Sequence, residues 1–191
     1  DAYTLLREAI DDPNPVVFLE HRWLHQQKGT LISLKKSLPF GKARVAREGS
    51  DITLVGYSYM TVEALHAAEW LSEYGIECEV VDLRTLRPLD FASVEQSLQK
   101  TGGLLALDTG NPFCSVAGEI VAQVSMQCHH DLRVAPSRLT LPDAPSPTSV
   151  ALTENYYPDA SEIARKVAAM LGRNDIQTGR IAELERQIGR A

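Results

Sequence analysis

A chain of 191 residues, 44% hydrophobic and 23% charged, has the balance of an ordinary globular protein and enough length to bury a core within one domain. A formal charge of -6, with no basic cluster beyond the pair Lys35-Lys36, argues against nucleic acid, whose phosphates call for clustered Lys and Arg. No apolar run approaches the ~20 residues of a membrane helix, and the amino end lacks the basic-then-apolar pattern of a secretory signal.

The first residue is Asp1 rather than Met, which suggests sequence removed or left out upstream. Residues 1–11 read as a helix with Leu5, Leu6, Ala9 and Ile10 apolar, ended by "DDPNP", because Pro13 and Pro15 cannot continue it. "VVFLE" at 16–20 reads as a buried strand. From 22 to 49 the pattern dissolves into polar and basic residues with Gly29, Pro39, Gly41 and Gly49, and reads as a linker.

A regular alternation then begins. "DITLVGY" reads as a strand, followed by a helix from Met60 to Tyr74. Met60, Ala64, Ala67, Ala68 and Leu71 share its inward face, and His66, Glu69 and Glu73 its outward face. Gly75 is the expected stop. "IECEVVDL" is the next strand, and Asp90 the expected N-cap of the helix after it. "GGLLALDT" is a third strand, 115–129 a third helix, and a fourth strand lies near "RVAPSRLTL". The last helix opens at Asp159 in "DASE", with Ile163, Val167, Met170 and Leu171 facing inward. Strands alternating with amphipathic helices imply a mostly parallel sheet covered on both faces, a three-layer α/β/α domain over 50–171. Residues 1–21 read as the last helix and strand of another domain. The tail 172–191 carries Ile181, Leu184 and Ile188 at heptad-like spacing, too short a run for a coiled coil.

Candidate chemistry is sparse. A strand running through Gly-Tyr-Ser-Tyr into a helix raises Ser58 as a hydrolase nucleophile, but the elbow needs G-x-S-x-G, and Met60 holds the second glycine position. An ordinary turn, with Ser58 or Thr61 capping the helix, is the better reading. His21 and His25 are four apart but lack the glutamate of a zinc helix. In the run Cys128-His129-His130-Asp131 adjacent side chains diverge, so Cys128 reads as a buried thiol beside Ala117, Ile120, Val121 and Val124. Cys78, Cys114 and Cys128 form no CxxC pair and suit reduced thiols of a cytoplasmic protein. No phosphate-binding glycine motif is present. Asp108, at the end of a strand, and Glu119 could belong to a site, although Asp108 capping the loop "TGNPF" is the simpler reading.

Four stretches carry a resemblance: "DPNPVVFLEH", "GKARVAREGSDITLV", "DLRTLRPLD" and "KTGGLLALDTG...GEI". Together they resemble the carboxy-terminal part of the beta subunit of thiamine diphosphate-dependent 2-oxo acid dehydrogenases, the pyruvate dehydrogenase-like decarboxylating component, over residues 1–171. The resemblance implies a transketolase C-terminal-like domain at 50–171, an interdomain linker at 22–49, and the end of a pyrimidine-binding domain at 1–21. It implies oxidative decarboxylation of a 2-oxo acid with thiamine diphosphate and Mg²⁺, the catalytic residues lying upstream of Asp1. This piece alone would then be inactive and bind no thiamine. The implied partners are an alpha subunit, a second beta subunit and the dihydrolipoyl acyltransferase core. In the wider superfamily an arginine that reaches substrate often follows the strand now at 16–20; alignment puts His21 there, and Arg22 beside it could grip a carboxylate with a bidentate fork. Packing of "EHRWLH" at a domain junction is the competing role. The family's glycine-rich GxGAE is "SVAGE" here, which puts any glycine-dependent contact there in doubt. Two other readings stand beside this one: a non-catalytic association module, and another transketolase-type enzyme such as a deoxyxylulose-phosphate synthase.

Overall fold

The structure, a computed structural model, describes residues 2–28, 38–153, 156–173 and 175–176. Five strands form one sheet in the order β1-β3-β2-β4-β5: β1 Arg44–Arg47, β2 Ile52–Gly56, β3 Cys78–Asp82, β4 Leu104–Leu107 and β5 Ser137–Leu139. β2 pairs in parallel with β3 and β4, and β4 with β5, while β1 runs antiparallel to β3. The helices are α1 Ala2–Asp11, α2 Tyr59–Ser72, α3 Phe91–Thr101, α4 Val116–Gln127, the short α5 Val150–Thr153 and α6 Ala160–Met170.

Because strand side chains alternate, each central strand feeds two cores. Ile52 and Leu54 of β2 and Leu105 and Leu107 of β4 pack with α2 and α6. Val55, Leu104 and Ala106 point the other way, onto α3 and α4. That is the expected α/β/α sandwich, with the inward faces expected of α2 and α6. Met60, Ala64, Ala67, Ala68 and Leu71 are buried, as are Ile163 and Val167. Three alanines on α2 leave room for α6 to lie close against it, and Gly75 takes a left-handed φ of 74° as the chain leaves the helix. Asp90 and Asp159 accept the backbone N–H groups of Ser93 and Glu162, as helix caps do.

The α3 layer is partly polar. The Thr53 hydroxyl lies 2.7 Å from both Ser97 Oγ and Thr101 Oγ1, so three buried hydroxyls satisfy one another. Lys100 of α3 bridges Glu79 and Glu48. Burial alone would raise the Glu79 pKa, but Lys100, Ser97 and the Gly49 N–H hold it below the usual carboxylate range.

Three expectations fail. Residues 16–20 form no strand: Val17 and Leu19 are 84% and 81% exposed, and no described strand runs beside them to receive their backbone hydrogen bonds. Conversely, the stretch read as linker supplies β1, an edge strand. Its Arg47 donates to the Cys78 carbonyl at 2.6 Å and pairs with Glu77, so its charges are edge contacts. Neither Ser58 nor Thr61 caps α2: Ser58 makes no capping hydrogen bond, and the Thr61 hydroxyl donates to Asp82 Oδ1 instead. Ile181, Leu184 and Ile188 lie outside the described residues.

Candidate functional site

In an open α/β sheet the crevice opens where neighbouring strands send their chains to opposite sides. Here that place lies between β2, which leads toward β3, and β4, which leads toward β5. The residues leaving those strands are Tyr57 and Ser58 on one side and Asp108 on the other.

Asp108 fills the crevice itself. It is 1% exposed, and its Oδ1 accepts the Tyr57 hydroxyl at 2.6 Å and the Gly110 N–H at 2.7 Å. Its Oδ2 accepts the Ala117 N–H at 3.1 Å in the first turn of α4. Burial, then the hydrogen bond and charge of Asp108, keep Tyr57 firmly protonated. Three donors on one buried carboxylate make a lock between β2, the 109–115 loop and α4. Glu119 is no partner to it; it is exposed and accepts from Gln123.

Ser58 has the backbone of an elbow, with φ 55° and ψ -128°, a left-handed conformation that costs a non-glycine residue about 1–3 kcal/mol. The chemistry of an elbow is missing. His21, which stacks on the neighbouring Tyr59 and meets Trp23 edge-on, makes no hydrogen bond to Ser58 among the described residues. Ser58→Gly is therefore expected to raise stability by about 0.5–2 kcal/mol, strain relief exceeding the extra entropy of glycine in the unfolded chain. A higher melting temperature would show it. A lower one would mean that the hydroxyl holds something in place.

Beside Ser58 three distant stretches converge on an aromatic cluster. The His21 ring stacks on Tyr59 at 5.0 Å and 11°, and Trp23 meets Tyr59 and Tyr157 edge-on at 4.9 and 5.3 Å. Tyr157 in turn touches Tyr156, whose hydroxyl donates to the Ala144 carbonyl. His21 Nδ1 accepts the Trp23 N–H at 3.4 Å and opens a 3₁₀ turn over Arg22–Gln26. Burial lowers the His21 pKa below its ordinary 6.5, which favours the neutral ring. Arg22 is exposed. The sequence offers no sign of this cluster, because 21–23, 59 and 156–157 share no spacing pattern. His25 pairs with Glu20 at 3.6 Å rather than with His21.

The remaining candidates are structural. Cys78, Cys114 and Cys128 are all free. Cys78 and Cys128 are buried, and burial pushes the Cys78 thiol up to about 12 and raises Cys128. Among the described residues no group of His, Cys, Asp and Glu could hold a metal ion, and no helix is long and apolar enough to cross a membrane.

Residues 41–163 match the family model of the transketolase C-terminal domain. The acetoin:2,6-dichlorophenolindophenol oxidoreductase subunit beta of Cupriavidus necator is 40% identical over 164 residues, 86% of this chain and 48% of that protein. Its Bacillus subtilis counterpart is 41% identical over 173 residues, 90% and 50% of the two chains. The mitochondrial pyruvate dehydrogenase E1 component subunit beta of Caenorhabditis elegans is 39% identical over 176 residues, 90% and 50% of the two. Among solved structures, a split gene transketolase in an inactive beta4 tetramer superposes with a TM-score of 0.64 at 25% identity, covering 75% of this chain and 46% of that one. The chain spans about half the length of the curated relatives it matches.

Proposed function

This chain belongs to the transketolase C-terminal domain family, and on that premise we propose that it is the carboxy-terminal half of the beta subunit of a thiamine diphosphate-dependent 2-oxo acid dehydrogenase, pyruvate dehydrogenase-like or acetoin-type, working in the cytoplasm. The observation that carries the reading is 39–41% identity to beta subunits of such enzymes along 86–90% of the chain.

The amino-terminal segment supports it. α1 turns Thr4 inward, while Tyr3, Leu6 and Ile10 are 49%, 46% and 69% exposed. Val17, Leu19 and Trp23 are exposed as well. Monomeric proteins rarely leave such a face bare. Residues 1–21 are accordingly the end of a preceding pyrimidine-binding domain, and 22–49 lead from it into the sheet.

Thiamine diphosphate would supply the acyl-carrying carbanion chemistry and Mg²⁺ its diphosphate anchor. The described residues do not fit either group: the one carboxylate in the sheet crevice, Asp108, spends both oxygens on protein donors. The cofactor thus belongs to the preceding domain and an alpha subunit. This chain contributes a rigid domain for pairing with a second beta subunit and docking a dihydrolipoyl acyltransferase core. On the substrate side, Arg22 would present its fork to a carboxylate and neutral His21 a ring nitrogen, steadied by Tyr59 and Trp23.

A chimera tests the reading. The upstream half of the Cupriavidus necator beta subunit, joined to this chain and co-expressed with its alpha subunit, should assemble and reduce 2,6-dichlorophenolindophenol with acetoin or a 2-oxo acid. A soluble chimera that fails to associate with the alpha subunit would overturn it.

A further inference from the structure

The stretches "GKAR" and "DLRTLRPLD" lie 38 residues apart in sequence, counting from Arg44 to Asp82, and face each other across the end of the sheet. Gly41 has φ 75°, and a Cβ there would stand 2.7 Å from Pro88 Cγ, so only glycine lets the two loops meet. The Ala43 N–H donates to Asp90 Oδ2 at 3.1 Å, and Arg44 Nη2 to Asp82 Oδ2 at 3.0 Å. Burial alone would raise the Asp90 pKa, but bonds from Ser93 and Ala43 and the charge of Lys42 hold it below the usual range.

Arg84 lies between these contacts. It has a left-handed φ of 57°, and its N–H donates to Asp82 Oδ1. Its Nη1 donates to the carbonyls of Lys42 at 2.8 Å and Pro39 at 3.3 Å, and its Nη2 to that of Leu38 at 3.0 Å. Burial lowers the Arg84 pKa from its ordinary value, and the charges of Asp82 and, after it, Glu8 offset only part of that. A guanidinium can grip three carbonyls in one plane; an ammonium on a flexible stem cannot hold that geometry.

We infer that Arg84 is a positioning residue: it grips the 38–42 backbone and so sets the direction in which the chain enters the sheet at β1. The two stretches are the halves of one clamp. The inference concerns contacts within this chain alone and does not depend on the enzymatic reading.

Amide hydrogen exchange on the whole chain tests it. Arg84→Gln should speed exchange about tenfold at 38–43, with the amides of β2 and β4 within about twofold of the parent. Arg84→Lys, which keeps the charge but loses the planar fork, should loosen 38–43 as well. Equal acceleration throughout the domain would reduce Arg84 to a general stabiliser and overturn the inference, as would unchanged exchange at 38–43. If Arg84→Gln fails to fold, Arg84→Lys carries the test, and parental exchange at 38–43 in it overturns the inference.

Discussion

Asp108→Ala is expected to lower the unfolding free energy by about 3–5 kcal/mol, the larger of the two strongest effects foreseen for this chain. The carboxylate is 1% exposed and accepts from the Tyr57 hydroxyl, the Gly110 N–H and the Ala117 N–H. Removing it strands three donors, each costing about 1–3 kcal/mol when buried and less where water can enter. Tyr57→Phe removes one donor and leaves the carboxylate two, so it should cost about 1–2 kcal/mol. Since Tyr57 donates only to Asp108 in this pair, the double variant should cost less than the two single effects added. Urea unfolding with an unchanged m-value is the measurement. The result also bears on function. A carboxylate held in reserve for a ligand often costs stability, so its removal would stabilise the protein. A midpoint that rises in Asp108→Ala would return the crevice to the list of binding sites.

The layers were legible because they rest on short-range periodicity. The inward residues of α2 could be named from the i, i+4, i+7, i+8, i+11 pattern of Met60, Ala64, Ala67, Ala68 and Leu71, and all five are buried. Asp90 and Asp159 were legible as caps because a cap is a local signal. Errors arose where the deciding partner is distant in sequence. "VVFLE" has strand composition, yet β structure exists only through a neighbour, and among the described residues none lies there. "RVAR" looks like linker, yet β3 accepts it as an edge strand whose arginines meet Asp82, Glu77 and the Cys78 carbonyl. At the candidate site the sequence pointed to His21, Arg22, Ser58 and Asp108 one at a time. It could not show that His21 and Trp23 join Tyr59 and Tyr157, or that Tyr57 closes over Asp108, because those meetings span dozens of residues.

The second large effect is expected at Glu63, on the opposite face of the sheet. This glutamate sits on the inward side of α2 at 2% exposure, an unusual place for a carboxylate. Its Oε2 accepts the Ala160 N–H at 2.8 Å, the first residue of α6. A helix begins with N–H groups that have no partner within the helix, and their dipoles favour a negative charge. Asp159 takes one of them, at Glu162, from within the same chain segment. Glu63 takes another from a neighbouring helix, so it both caps α6 and seats it on α2. The residues seated behind it, Ile163, Ala164 and Val167, are fully buried. Glu63→Ala is therefore expected to cost about 2–4 kcal/mol, the stranded N–H adding to a cavity between the helices. Glu63→Gln keeps an acceptor oxygen and the volume but loses the charge, and should cost about 1 kcal/mol. The contrast between the two separates the bond from the charge in urea melts. If Gln proves as damaging as Ala, the attraction between carboxylate and helix end, rather than the hydrogen bond, is what holds α6 in place.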